Sequence, residues 1–195
     1  SMEKLQENRF SDVSSFIEGL NSISLQVDDS SDKKDGKIAY KQYEEGTAVM
    51  PSQEEIDTWV ENVISTYNTG RYDSAFEGFS ECAKMGNAIA QYYLGKMYYE
   101  GQCVGGYVKA VEWYRKSAVQ GNAEAQCSLG IMYEKGIGVS KDYVKAVEWS
   151  RKSAEQGNAA AQYNLGVMYY YGRGVSQDYA KAVEWYRKSA EQGNA

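Results

Sequence analysis

The chain has 195 residues, a net charge of −6 and an aromatic content of 13%, with 18 Tyr and 4 Trp against a single Pro. That length suffices for one domain, and its large flat side chains must carry much of the packing. Residues 1–86 hold 8 Lys/Arg against 17 Asp/Glu and residues 87–195 hold 13 against 10, so an acidic half and a balanced half exclude a nucleic-acid footprint.

Residues 1–51 read as an N-terminal extension. Phe10, Val13, Phe16, Ile17 and Leu20 form one stripe of an amphipathic helix. Ile23, Leu25 and Val27, then Ile38 and Tyr40, alternate with polar residues on either side of a charged stretch, Asp28 to Gly36. A helix with a short hairpin is the first reading, a flexible acidic leader the second, and a helix lying on the rest of the chain the third.

A helix pair follows over residues 52–86. Ser52 and Glu55 have capping-box spacing, and Ile56, Trp59, Val60, Val63, Ile64 and Tyr67 continue as one apolar face. Asn68-Thr69-Gly70-Arg71 is a turn, after which Tyr72, Ala75, Phe76, Phe79 and Ala83 make the second helix.

From Asn87 the sequence repeats with a period of 36 residues, one fewer in the first copy, over residues 87–121, 122–157 and 158–193. Such a period marks a solenoid, in which each unit buries its apolar face only against its neighbours. In the third copy a first helix runs from Ala159 to Tyr171, with Ala161, Leu165, Met168 and Tyr169 on its buried face and Asn158 as N-cap. Ala159, Ala161 and Gly166 predict a close helix crossing. Gly172 and Gly174 mark the loop, and Val175 is placed to tuck into the core. Ser176 is expected to cap the second helix, with Asp178 in its first turn and Gly193 at its end. Trp113, Trp149 and Trp185 share one repeat position and read as core. Glu112, Glu148 and Glu184 are expected to pair with Lys116, Lys152 and Lys188 four residues on. The first copy lacks an Asp matching Asp142 and Asp178, so its second helix should be the least well held at its start.

The strings A-x-A-Q-x-x-L-G-x-M-Y, G-x-G-V-x-x-D and K-A-V-E-W-x-x-K-S-A resemble the Sel1-like repeat, a relative of the tetratricopeptide repeat. The resemblance covers residues 87–195 in three copies. It implies an all-α fold, a right-handed α-solenoid of antiparallel helix pairs with the first helices lining the concave side. It also implies an adaptor role, since family members act in signalling, protein quality control and bacterial–host contacts. The short connection at Gly70 looks more like a tetratricopeptide unit. Cysteine-rich relatives resemble β-lactamases in activity, but their repeats carry paired cysteines that this chain lacks.

Asn194-Ala195 stand where a fourth copy would begin. The array reads as cut from a longer one, with an open end that pairs with another chain as the alternative. Ser1-Met2 reads as a cleavage scar. No apolar run is long enough to span a membrane. Cys82, Cys103 and Cys127 form no disulfide framework, and an odd count fits a reducing compartment better than a secreted one.

Chemistry is hard to find. The chain has no His, which removes the commonest general base and zinc ligand. Neither catalytic residue, metal site nor cofactor is expected. Gly136-Ile137-Gly138 and Gly172-Arg173-Gly174 lack the strand before and the Lys-Ser/Thr after that a phosphate loop needs, and they recur as repeat loops.

Binding positions should vary between copies while core positions stay fixed. The varying first-helix positions are Ile89, Tyr93, Lys96 and Glu100, then Glu124, Ser128, Ile131 and Lys135, then Ala160, Asn164, Val167 and Tyr171. Their spacing puts each set on one helical face. Beside them run Tyr92 and Tyr99, Cys127 and Glu134, then Tyr163 and Tyr170. The candidate partner-binding residues are therefore Tyr92, Tyr93, Lys96, Tyr99, Glu100, Ile131, Lys135, Asn164, Val167, Tyr170 and Tyr171. A protein or peptide partner in this groove is the first reading, because Tyr with Lys and Glu suits peptide recognition. Self-association through the open repeat end is the second. A hydrolase of cell-wall material or a small molecule is the third, and the missing His counts against it.

Overall fold

The computed structural model describes residues 51–102 and 105–193. The predicted elements before residue 51, and Cys103, Asn194 and Ala195, lie outside the described residues. Within them the secondary structure is helical: α1 (Gln53–Asn68), α2 (Tyr72–Lys84), α3 (Ala88–Glu100), α4 (Tyr107–Val119), α5 (Ala123–Lys135), α6 (Tyr143–Glu155), α7 (Ala159–Tyr171) and α8 (Tyr179–Ala190).

Local chemistry sets the helix boundaries. Ser52 Oγ accepts from Glu55 N–H at 3.3 Å while Ser52 N–H donates to Glu55 Oε2 at 2.8 Å, closing the capping box. Asn87, Asn122 and Asn158 each accept a backbone N–H three residues on, at 2.8–2.9 Å. At the far end of α7 the chain turns through Gly172 with φ +66°, a left-handed conformation that costs glycine no Cβ clash.

The second helices start later than the sequence suggests. Asp178 N–H donates to the Tyr169 carbonyl at 3.0 Å, so the returning loop is tied to the first helix before a new one can begin. Asp178, not Ser176, is the N-cap: its carboxylate accepts from Lys181 N–H at 3.0 Å, as Asp142 accepts from Lys145 N–H. At the other end α8 stops at Ala190, and Gly193 lies beyond it in a turn with φ +84°. Gly106 holds the same tie at 3.1 Å in the first copy but offers no side-chain cap to α4.

Each helix packs on the next in sequence, and α5 also touches α7 directly across the stack. Leu94, Leu129 and Leu165, with Met97, Met132 and Met168, are fully buried at equivalent positions. Each fully buried Leu or Met contributes about 1.5–3 kcal/mol. The small residues work as expected: a Cβ on Gly166 would come within 2.8 Å of the Tyr186 ring, and one on Gly95 equally close to Tyr114. Val175 packs against the core.

A polar lattice runs through this apolar stack. Gln126 is buried, donates to the Ala118 carbonyl at 3.0 Å and accepts from Gln156 Nε2 at 2.7 Å. Gln91 and Gln162 do the same one copy earlier and later. Ser117, Ser153 and Ser189 donate to the carbonyls of Ala88, Ala123 and Ala159 at 2.6–2.8 Å. Arg115 and Arg151 reach the Tyr133 and Tyr169 hydroxyls of the following copy at 2.7 and 3.0 Å. Every buried polar group in this set has its partner, which is the condition for burying it at low cost.

The expected glutamate–lysine pairs do not form. Lys116, Lys152 and Lys188 lie over the rings of Trp113, Trp149 and Trp185, at 4.1, 4.5 and 4.2 Å from the centroids. The indoles are half-buried against the core and present one face outward. A ring face three residues before the lysine gives the ammonium a partner that also shields apolar surface.

Candidate functional site

The first helices α3, α5 and α7 present their variable positions as three successive rows. On α3, Tyr93 is half-buried: its ring stacks on Phe79 at 4.8 Å and meets Tyr67 and Tyr92 edge-on. Lys96 Nζ lies 5.3 Å from the Tyr67 ring and 4.0 Å from Glu100, whose other oxygen accepts from the Tyr67 hydroxyl at 3.1 Å. Gln102 donates to that hydroxyl at 3.1 Å. Burial raises the Tyr67 pKa, so the hydroxyl stays protonated and bridges the two helix pairs. Tyr99 is exposed and leans on Tyr107.

On α5, Ile131 is half-buried against the core and Lys135 is exposed. On α7, Asn164 and Val167 are half-buried, while Tyr170 and Tyr171 are exposed and touch each other at 4.9 Å. Tyr92, Cys127 and Tyr163 share one position but differ in surroundings. Tyr92 is half-buried against Tyr114, and burial pushes its phenol up to about 12. Cys127 is buried and its thiol is likewise pushed up to about 12, which leaves it a small core residue. Tyr163 is exposed and rests on Tyr186.

The structure adds residues that the pattern of variation did not single out. Arg173, in the α7–α8 loop, pairs with Glu134 at 3.0 Å and covers the Tyr171 ring at 4.9 Å and the Tyr143 ring at 5.9 Å. Tyr107, Tyr143 and Tyr179 open the three second helices at one shared position, and Arg173 stands where the other copies have Gln102 and Ile137. Those two facts were the available signals. A depression of about 420 Å³ lies elsewhere, floored by Val144, Val147 and Val175 and rimmed by Glu148, Arg151, Lys152 and Glu155. It contains no residue of the three rows. Among the described residues no three potential metal ligands come together, and no helix is long and apolar enough to cross a membrane.

The family model of the Sel1 repeat matches residues 88–122, 123–158 and 159–194, more than half of the chain. The chain belongs to the Sel1 repeat family. Among solved structures it is similar to a Sel1 repeat protein from Oxalobacter formigenes, at 38% identity and a TM-score of 0.66, over 69% of this chain and 56% of that one. It is similar also to a protective antigen present in uropathogenic Escherichia coli strains that displays an SLR fold, at 34% identity and a TM-score of 0.65, over 74% of this chain and 34% of that one. The chain thus spans only 56% and 34% of these two proteins' lengths. No curated protein matches it. Sel1 repeat proteins generally serve as protein-interaction modules and are typically scaffolds without enzymatic activity. Many of the repeat's invariant letters here, such as Leu94, Leu129 and Leu165, are core or lattice residues.

Proposed function

We propose that this protein is an adaptor that holds a segment of a partner protein along the face formed by α3, α5 and α7. One observation carries the reading. Most residues buried between helices, such as Leu94, Leu129 and Leu165, repeat from copy to copy, whereas exposed and half-buried first-helix positions change from Tyr93, Lys96 and Glu100 to Ile131 and Lys135 and then to Asn164, Val167 and Tyr171. A fixed lattice under a changing surface is what a binding scaffold requires. The exposed tyrosines supply contact area at low entropic cost.

The test is affinity capture from source cells with the protein and a variant carrying Lys96→Glu, Tyr99→Ala, Tyr170→Ala and Tyr171→Ala. Circular dichroism first establishes that the variant is folded. A protein retained by the parent and lost by the variant supports the reading, and equal capture by both removes the site from this face.

A further inference from the structure

A ladder of rings and cations runs along the edge where first helices end and second helices begin. Its first rung is Lys141, with Nζ 4.9 Å from the Tyr143 ring centroid. Arg173 connects that ring to Tyr171, at 5.9 and 4.9 Å. Tyr171 meets Tyr170 edge-on at 4.9 Å, and Tyr170 meets Tyr179 at 5.2 Å. Gln177 Nε2 ties the last rung, donating to the Tyr170 carbonyl at 2.8 Å and the Tyr179 hydroxyl at 2.9 Å. Three of the rings face solvent: Tyr171, Tyr179 and Tyr170 are 59%, 58% and 44% exposed.

The charge along this edge is unbalanced in one direction. Its acids are already engaged: Glu134 by Arg173, Asp142 by Lys145 and Asp178 by Lys181. A Cβ on Gly136, the residue after Lys135, would lie only 3.2 Å from Lys141 Cβ, so the chain brings Lys135 and Lys141 to the same end of the ladder. Both are exposed, and neither forms an ion pair among the described residues. Cations braced on aromatic faces lose little freedom when an anion arrives, because the rings already restrict them. What such a surface lacks is carboxylate for the lysines and apolar groups for the tyrosine faces.

We propose that this edge receives an extended acidic segment of a protein, its carboxylates on Lys135 and Lys141 and its apolar side chains on Tyr171, Tyr170 and Tyr179. This rests on the protein-interaction reading and names the partner's chemistry. At about 3.3 Å per residue, roughly six to eight extended residues cover the rungs. Charge complementarity favours a protein segment over a nucleic acid. Two unpaired lysines neutralise few phosphates, too few to hold a long polyanion.

The experiment measures fluorescence anisotropy of two labelled octapeptides with the full chain, one alternating glutamate with leucine and serine, the other with lysine in place of glutamate. The acidic peptide is expected to bind, more weakly as salt rises, and the basic one is not. Lys135→Glu with Lys141→Glu is expected to weaken binding at least tenfold, and the milder Lys135→Ala with Lys141→Ala severalfold, while Lys152→Glu on the tryptophan side leaves it unchanged. Circular dichroism checks each variant's fold. Equal affinity for both peptides, or no loss in the double variants, overturns the proposal. Tighter binding of single-stranded oligouridylate than of the acidic peptide overturns it in favour of nucleic acid. If the acidic peptide does not bind while the capture experiment still loses its partner in the first-helix variant, the acidic-partner inference fails and the adaptor reading stands.

Discussion

At the scale of single residues, burial decides which reactive-looking groups are inert. Cys82 and Cys127 are buried, and burial pushes both thiols up to about 12. Both are expected to resist alkylation at pH 8 in the native protein and to react quickly in denaturant, as mass spectrometry of labelled peptides will show. Fast labelling of Cys127 under native conditions would contradict its place in the core. Gly174 is a second decisive position. It has φ +71°, and a Cβ there would press into the Tyr143 carbonyl and lie 2.9 Å from Val144 N. Gly174→Ala is therefore expected to cost about 2 kcal/mol or more, from backbone strain and overpacking together, read as a shift in the urea midpoint. The sequence shows that glycine recurs in this loop; it does not show that the neighbouring copy's backbone presses against it.

At the scale of elements, the helix starts differ in a way that can be titrated. The carboxyl of Asp142 is held below the usual aspartate value of 3.8, chiefly by the Lys145 backbone N–H, and that of Asp178 likewise by Lys181. A lowered folded-state pKa gives stability that is present above the unfolded value and lost as pH falls through the folded one. Asp142→Asn with Asp178→Asn keeps a capping oxygen without the titration, so the variant should show a flatter stability curve below about pH 4. Helix α4 has no such cap. Gly106 sits at φ 163°, extended backbone open to any residue, and a Cβ there meets only Lys109 at 3.9 Å. Gly106→Asp is expected to add a few tenths of a kcal/mol and to slow hydrogen exchange in the first turn of α4. Helix existence, faces and N-terminal asparagine caps were legible, because apolar spacing and cap chemistry are local. The cap of α8 was misplaced because a long-range bond from Asp178 to Tyr169 sets that boundary. The glutamate–lysine spacing was misleading for a related reason: a tryptophan face competes for the same lysine, and only packing turns that face outward.

At the scale of the whole array, nearest-neighbour packing governs both stability and what could be foreseen of the site. Leu129 is fully buried in the middle copy, and Leu129→Ala is expected to cost about 2–5 kcal/mol. Because each helix packs mainly on its sequence neighbours, that loss should also uncouple the flanking pairs. Hydrogen exchange would then show α1–α3 and α7–α8 opening at different free energies, where the parent opens more nearly together. The candidate surface was legible only in part. Variation between copies pointed to Lys135, Tyr170 and Tyr171, but it passed over Tyr107, Tyr143 and Tyr179, whose constancy resembled that of core residues. Arg173 was invisible as a bridge, since its partners Glu134 and Tyr143 lie in the preceding copy. The polar lattice has one more consequence, for how such a chain can change length over generations. The Ser117 bond spans 29 residues and the Ser153 and Ser189 bonds span 30, yet their lengths agree within 0.2 Å, because the shorter loop of the first copy absorbs the missing residue. Insertions and deletions inside loops therefore leave the fastening intact, and gain or loss of a whole unit leaves every remaining fastener matched. An insertion or deletion of one residue within a helix would unfasten the bonds of that helix, so this protein is more easily edited by the unit or at the loops than inside a helix.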